Sequence, residues 1–283
     1  MQNNFNNKKI AFFGTPDFTV QFLALFKKIG LDIALVVTGE DKPVGRGQFM
    51  QSPGPKIFAE QNNIKCLQPK KLADIESELV GYDLFIVIAY GKIIPESIIN
   101  LPKHGTINLH YSLLPKYRGA SPVESAILNS EVETGITIQQ MVYKLDAGNI
   151  LLQEKMDIDE NEMANELRER MNKRAIEIFP EFLDNLFVGK VESKTQSDAI
   201  ATSCGKFSKA DFDVTSDIGK KDFATIYKKY RAFDKRIFFF FREKKLRVRI
   251  TEMNKDGILK VLPESKKEIS ITDFENSFGK IFN

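Results

Sequence analysis

The sequence predicts an α/β protein: a doubly wound, mostly parallel sheet of Rossmann-like architecture, followed by a small β-barrel-like domain of the OB type. Three observations carry that expectation. The first half alternates short apolar runs with helical stretches, the pattern of βαβ units. Runs such as Leu84–Ala89 (LFIVIA) are apolar without alternation, as in strands covered on both faces. The last part strings several strand-like runs between polar turns.

The elements follow in order. Lys9–Gly14 (KIAFFG) reads as a buried strand. Asp17–Ile29 reads as a helix with Phe18, Phe22, Leu25, Phe26 and Ile29 on one face and Gly30 at its end. Asp32–Thr38, Leu84–Ala89 and Thr106–Leu109 are further strands. Thr134–Met141 does alternate, which fits an antiparallel addition or a hairpin with Asn149–Met156. A long helix is expected over Glu160–Phe187, closed by Gly189. Ser, Thr and Lys crowd Glu192–Ser208 without a period, so the domain boundaries are set at 1–191, a linker at 192–208, and 209–283. A short helix near Phe223–Tyr230 precedes strand-like runs at Ile237–Phe241, Leu246–Thr251, Ile258–Leu262 and Glu268–Ile271, with a turn at Asn254–Gly257.

Composition narrows the function. The 283 residues suit two domains. Cys66 and Cys204 lie far apart, with no C-x-x-C and no histidine at ligand spacing, so no metal site and no disulfide framework is expected. Met1–Lys9 is polar, and no segment reaches the ~18 apolar residues of a membrane span; a soluble, cytoplasmic protein is expected. Net charge is only +3, but it is unevenly spread. Residues 206–283 hold 19 Lys+Arg against 12 Asp+Glu, and Lys220–Arg249 alone holds 12 against 3. There the basic residues interleave with Tyr227, Tyr230, Phe233 and Phe238–Phe241. Such a block is commonly just a solvated face; it also suits a polyanion, whose counterions each phosphate contact releases.

The first βα turn, Gly14-Thr15-Pro16-Asp17, lacks G-x-G-x-x-G, and no G-x-x-x-x-G-K-[ST] occurs, which argues against NAD and ATP. The densest polar cluster begins at Asn108-Leu109-His110, at the end of a strand. Two apart on an extended segment, Asn108 and His110 point to the same side. A lone histidine is more often structural, but here an amide stands beside it and an acid, Asp146, occupies a turn after a strand. A carboxylate beside an imidazole orients the ring and favours its charged form. Amide, imidazole and acid suit acyl transfer to an amine: an oxyanion donor, a proton carrier and its holder. No Ser, Cys or Lys nucleophile stands out, so direct transfer is expected.

The linked pattern Asn108-x-His110-x-Ser112-Leu-Leu-Pro115-x-Tyr117-Arg118-Gly119, Thr134-Gly135-Ile136-Thr137 and Leu145-Asp146-x-Gly148 resembles the signature of the 10-formyltetrahydrofolate-dependent formyltransferases. Phe13–Phe18, Asp41-Lys42-Pro43-x-Gly45-Arg46-Gly47 and Ala89-Tyr90-Gly91-x-Ile93-Ile94-Pro95 resemble the methionyl-tRNA branch of that superfamily. The resemblance covers roughly residues 9–155 and is thin beyond Phe207. It implies a catalytic set of Asn108, His110 and Asp146. It implies a folate site from Ser112, Leu113, Leu114 and Pro115 together with the backbone of Ile88, Ala89, Tyr90 and Gly91. It implies tRNA contacts at Arg46, whose loop would wedge at the acceptor end, and at Lys206 and Lys209. Arg118 could instead be structural, paired with a carboxylate, and Tyr90 could be core. The co-substrates would be 10-formyltetrahydrofolate and methionyl initiator tRNA, with no metal, and the protein would be a monomer. After Gly47 the chain reads Gln48-Phe49-Met50-Gln51, where the family more often places lysines. Two other readings stay open: a formyltransferase acting on a nucleotide-linked amino sugar, and a non-catalytic RNA-binding protein.

Overall fold

The computed structural model describes residues 7–45, 47–241 and 245–281. Its centre is a seven-stranded sheet. The strands are β1 (Lys9–Gly14), β2 (Asp32–Val37), β5 (Lys65–Leu67), β6 (Leu84–Ile88), β7 (Thr106–His110), β9 (Glu133–Gln140) and β10 (Ile150–Asp157). They lie in the order β10-β9-β7-β6-β1-β2-β5. Pairs from β5 through β7 are parallel, and β9 runs antiparallel to β7. The doubly wound, mostly parallel sheet expected from the sequence is therefore present, with Thr134–Met141 as its antiparallel addition. Strands β3 (Lys42–Val44) and β4 (Phe49–Gln51) form a separate two-stranded hairpin, and β8 (Arg118–Gly119) and β11 (Ser203–Cys204) are two-residue strands.

Burial explains the unalternating runs. All five residues of β6 are buried, as are Ile10–Gly14 of β1. One face packs Ala11, Phe13, Leu35, Val37, Phe85 and Val87 against Leu72, Leu79, Tyr82, Tyr90 and Ile94. Helix α1 (Val20–Lys28) buries Phe22, Leu23 and Phe26. Phe22 and Phe26 meet Phe179 of the long helix α5 (Ala164–Phe187) edge-on, at 5.9 and 5.3 Å. Each such aromatic contributes on the order of 1.5–3 kcal/mol by leaving water.

Several boundaries differ from expectation. The first helix does not begin at Asp17. Asp17–Thr19 form a tight 3-10 turn, with the Thr19 amide and hydroxyl both donating to the Pro16 carbonyl. The Asp17 carboxylate instead accepts from the Gly54 amide, opening α2 (Gly54–Gln61). Strand β5 and the β3–β4 hairpin were not expected, because three-residue strands without buried alternation leave no period to read.

The described residues fall into two compact units, one within Met1–Arg118, Gly135–Lys155 and Met171–Ser203, the other within Gly119–Thr134, Met156–Arg170 and Cys204–Asn283. Within the second, β12 (Phe238–Phe241), β13 (Leu246–Asn254), β14 (Gly257–Pro263) and β15 (Ile269–Ser270) make a four-stranded antiparallel sheet in that order. The Asn254 side chain accepts from the amides of Asp256 and Gly257, closing the expected turn. Where only the strand Glu268–Ile271 was expected, a helix runs from Ile271 to Phe278. Ser270 caps it, its hydroxyl accepting from the Asp273 amide at 3.0 Å. Phe274 of that helix packs edge-on against Phe241 at 5.5 Å. No described helix is long and apolar enough to cross a membrane.

Candidate active site

Asn108 and His110 sit at the carboxyl end of β7, beside the end of β6, where open α/β sheets bind their ligands. The register places Asn108 opposite Gln139 of β9 and His110 opposite Thr137. His110 is 6% exposed. Its Nε2 lies 2.8 Å from the Tyr117 carbonyl oxygen. A carbonyl only accepts, so Nε2 carries a proton there. Nδ1 faces Asp146 Oδ2 across 3.7 Å, longer than a hydrogen bond but well within reach of its charge. Nδ1 is thus the nitrogen left for proton exchange, with a carboxylate at its side.

Asp146 sits in the turn between β9 and β10 at φ +48, a left-handed conformation that aspartate tolerates better than most residues. The loop is held from several sides. Gly148 comes so close to β9 that an added Cβ would lie 1.6 Å from the Gln140 carbonyl oxygen. The Gln196 amide donates to the backbone carbonyls of Asp146 (2.9 Å) and Gly148 (2.7 Å). Arg118, itself buried, donates through Nε and Nη2 to the Gln196 Oε1, and through Nη1 to Asp198 at 2.7 Å. The Lys144 ammonium and the Arg118 guanidinium hold the Asp198 carboxyl below its usual range. Arg118 therefore pairs with a carboxylate and supports the Asp146 loop through Gln196.

Sequence reading did not single out Gln139 or Gln196. Gln139 is 1% exposed, and its Nε2 donates both to Asp146 Oδ1 (2.8 Å) and to Asn108 Oδ1 (3.2 Å). Asn108 Nδ2 in turn donates to the Val87 carbonyl at 3.0 Å. The alternation of β9 gave no signal for Gln139: it groups Gln139 with Thr137 on the polar face, whereas the structure buries every residue from Thr134 to Gln139. Gln196 lies in the stretch read as linker, where no period could mark it.

The segment after His110 is rigidly laced. The Ser112 hydroxyl donates to the Lys116 carbonyl, and the Thr137 hydroxyl donates to the Ser112 carbonyl. Gln153 donates to the Leu114 carbonyl, and the Leu114–Pro115 peptide is cis. Leu114 is buried and Leu113 half-buried. On the neighbouring strand end, Ala89 (φ +49) and Gly91 (φ +78) turn the chain sharply after Ile88. The Tyr90 carbonyl accepts from the Thr15 hydroxyl at 2.9 Å. The Tyr90 ring belongs to the core, edge-on to Phe13, and burial pushes its phenol up to about 12. Ile88–Gly91 can therefore offer a ligand backbone rather than the tyrosine ring.

Arg46 lies outside the described residues; Lys206 and Lys209 are exposed, in the second unit. Among the described residues no group of three or more His, Cys, Asp or Glu could hold a metal ion. What the cluster offers is a neutral amide with one N–H engaged on a carbonyl, an imidazole whose Nε2 is engaged on the Tyr117 carbonyl, and a carboxylate accepting from the Gln139 amide.

A sequence family described as formyl transferase matches residues 8–183. The methionyl-tRNA formyltransferase of Thermotoga neapolitana is 40% identical over 232 residues, covering 81% of this chain and 73% of that protein. That of Halalkalibacterium halodurans is 42% identical over 199 residues, 69% of this chain and 62% of that one. Among solved structures, a sugar 3N-formyl transferase, crystallised in the presence of dTDP and 5-N-formyl-THF, superposes with a TM-score of 0.59 at 24% identity. It covers 84% of this chain and 81% of that one, and at this identity it speaks for the fold alone.

Proposed function

The chain belongs to the methionyl-tRNA formyltransferase family, and from that premise we propose the chemistry of its site: formyl transfer from 10-formyltetrahydrofolate to the α-amino group of methionyl initiator tRNA. The observation that carries the reading is the juxtaposition of Asn108, His110 and Asp146 at the end of β7, inside a chain 40% identical to such enzymes.

The amine attacks the formyl carbon, and the carbonyl oxygen gathers negative charge. Asn108 meets that oxygen with its second Nδ2–H, the first being engaged on Val87. His110 Nδ1 takes the proton that the attacking nitrogen must lose, and Asp146 steadies the resulting charge. The C–N10 bond then breaks, the proton passes to N10, and tetrahydrofolate leaves. The residues act on the substrates directly, with no acyl-enzyme.

We assign folate binding to Ser112–Pro115 together with the backbone of Ile88–Gly91. Arg46 and its hairpin would meet the acceptor end of the tRNA, and Lys206 and Lys209 its phosphates. Residues 1–191 would carry the chemistry and 209–283 the tRNA grip, joined through 192–208, in a cytoplasmic monomer. The basic excess of 206–283 supports the division of labour.

The test is direct. Purified protein with 10-formyltetrahydrofolate should formylate methionyl initiator tRNA and leave methionyl elongator tRNA unmodified. Formylation of a nucleotide-linked amino sugar in place of the tRNA would overturn the reading, as would failure with both acceptors.

A further inference from the structure

Gln139 stands where two acceptors converge. Its Nε2 reaches Asp146 Oδ1 at 2.8 Å and Asn108 Oδ1 at 3.2 Å. Its own Oε1 is buried and has no hydrogen-bond partner among the described residues. An orphaned buried oxygen is costly, and the reverse orientation of the amide shows why it is kept. Turned over, Gln139 would set a carbonyl oxygen against the Asp146 carboxylate. The carboxylate accepts and cannot donate, so it fixes the NH₂ end of Gln139 toward itself. That same NH₂ then demands an oxygen from Asn108, and the Asn108 amide is forced to present Oδ1 to Gln139. Its Nδ2 is left on the opposite side, where it donates to the Val87 carbonyl.

We propose that Gln139 is a positioning residue for formyl transfer: it relays the orientation set by Asp146 to Asn108, so that Asn108 offers an N–H and never its carbonyl to the developing oxyanion. This rests on the formyl-transfer reading of the site. A turned Asn108 would place oxygen against oxyanion, converting a stabilising contact into a repulsive one. A fixed acceptor, the Val87 carbonyl, on one side and a fixed donor, Gln139 Nε2, on the other leave one orientation only.

The experiment is a double-mutant cycle on the full chain, read as kcat and KM with 10-formyltetrahydrofolate and methionyl initiator tRNA. Gln139→Met removes the relay at nearly constant volume, and Gln139→Leu serves the same cycle should the methionine variant not fold. Gln139→Met should lower kcat roughly tenfold, the size of a lost hydrogen bond to a charged group. KM for both substrates should stay within about twofold, since Gln139 is 1% exposed. In the Asn108→Ala background the same substitution should change kcat less than about twofold, because its action passes through Asn108. The proposal is overturned by a full tenfold loss in that background, which a merely structural role would give, or by unchanged kcat in the single variant. Normal turnover of Asn108→Ala alone would instead sink the formyl-transfer reading itself, so the two failures are separable.

Discussion

The β7–β9 pair and the β3–β4 hairpin are both strand pairs of one chain, and they are built on opposite terms. In the first, the polar side chains are tied down: Gln139 to Asn108 and Asp146, Thr137 to Ser112, His110 to Tyr117. In the second, all six strand residues are exposed, and Phe49 is 79% exposed at its end, paired with Val44. Chemistry needs dipoles that do not reorganise as charge develops, and the sheet interior supplies them. The proposed tRNA-facing role of the hairpin asks for reach instead, with apolar groups left in water until the partner covers them. The same chain thus spends rigidity at one place and exposure at the other.

Substitutions can break that contrast, and the largest effect belongs to the fixed pair. His110→Ala should lower kcat about 10²–10⁴-fold while leaving tRNA affinity intact, as steady-state kinetics and filter binding would show. Equal losses in affinity would place His110 in binding rather than proton transfer. Next comes Gly148→Ala. Its Cβ would fall 1.6 Å from a backbone oxygen, so the Asp146 loop must move. A displacement on the order of 1 Å costs about 10²-fold in kcat, and the thermal midpoint should drop with it. A variant with normal turnover would show that the loop's position is not critical.

The hairpin should answer in the other parameter. Phe49→Ser should leave stability within about 0.5 kcal/mol and kcat unchanged, but raise KM for tRNA about fivefold, the size of one lost stacking contact. A fall in stability would mean that the exposed ring is packed after all. The smallest effect is expected in the core beneath the site. The Tyr90 hydroxyl is buried without a hydrogen-bond partner among the described residues, so Tyr90→Phe should raise stability by about 1 kcal/mol. The sign with pH follows: the unfolded phenol ionises near 10 and the folded one near 12. Folded stability is therefore lost as pH rises from about 10 towards 12, and chemical denaturation of Tyr90→Phe should show less of that loss.

How far the sequence revealed this depends on burial. β1, β2 and β6 were legible because strands covered on both faces read as unbroken apolar runs. The central cluster was legible because an amide and an imidazole two apart on a strand, with an acid after another, form a chemical set, and the spacing matched a known signature. The hairpin was not, since exposed three-residue strands carry no pattern. Gln139 and Gln196 were missed for a different reason. Their importance lies in which oxygens they face across the sheet, and a glutamine's sequence neighbours do not record that. The helix at Ile271–Phe278 was missed although Ser270 and Asp273 spelled its cap, because the preceding strand run was extended through the cap residue.

The central claim is that a fixed Asn108 N–H carries the transition-state charge of formyl transfer to methionyl initiator tRNA. Single-turnover formylation by Asn108→Ala, with both substrates saturating, tests it most directly. A rate about 10²–10³ times slower than the unmodified chain, at unchanged folate and tRNA affinity, is the predicted result. A rate within a few-fold of the unmodified chain would contradict it.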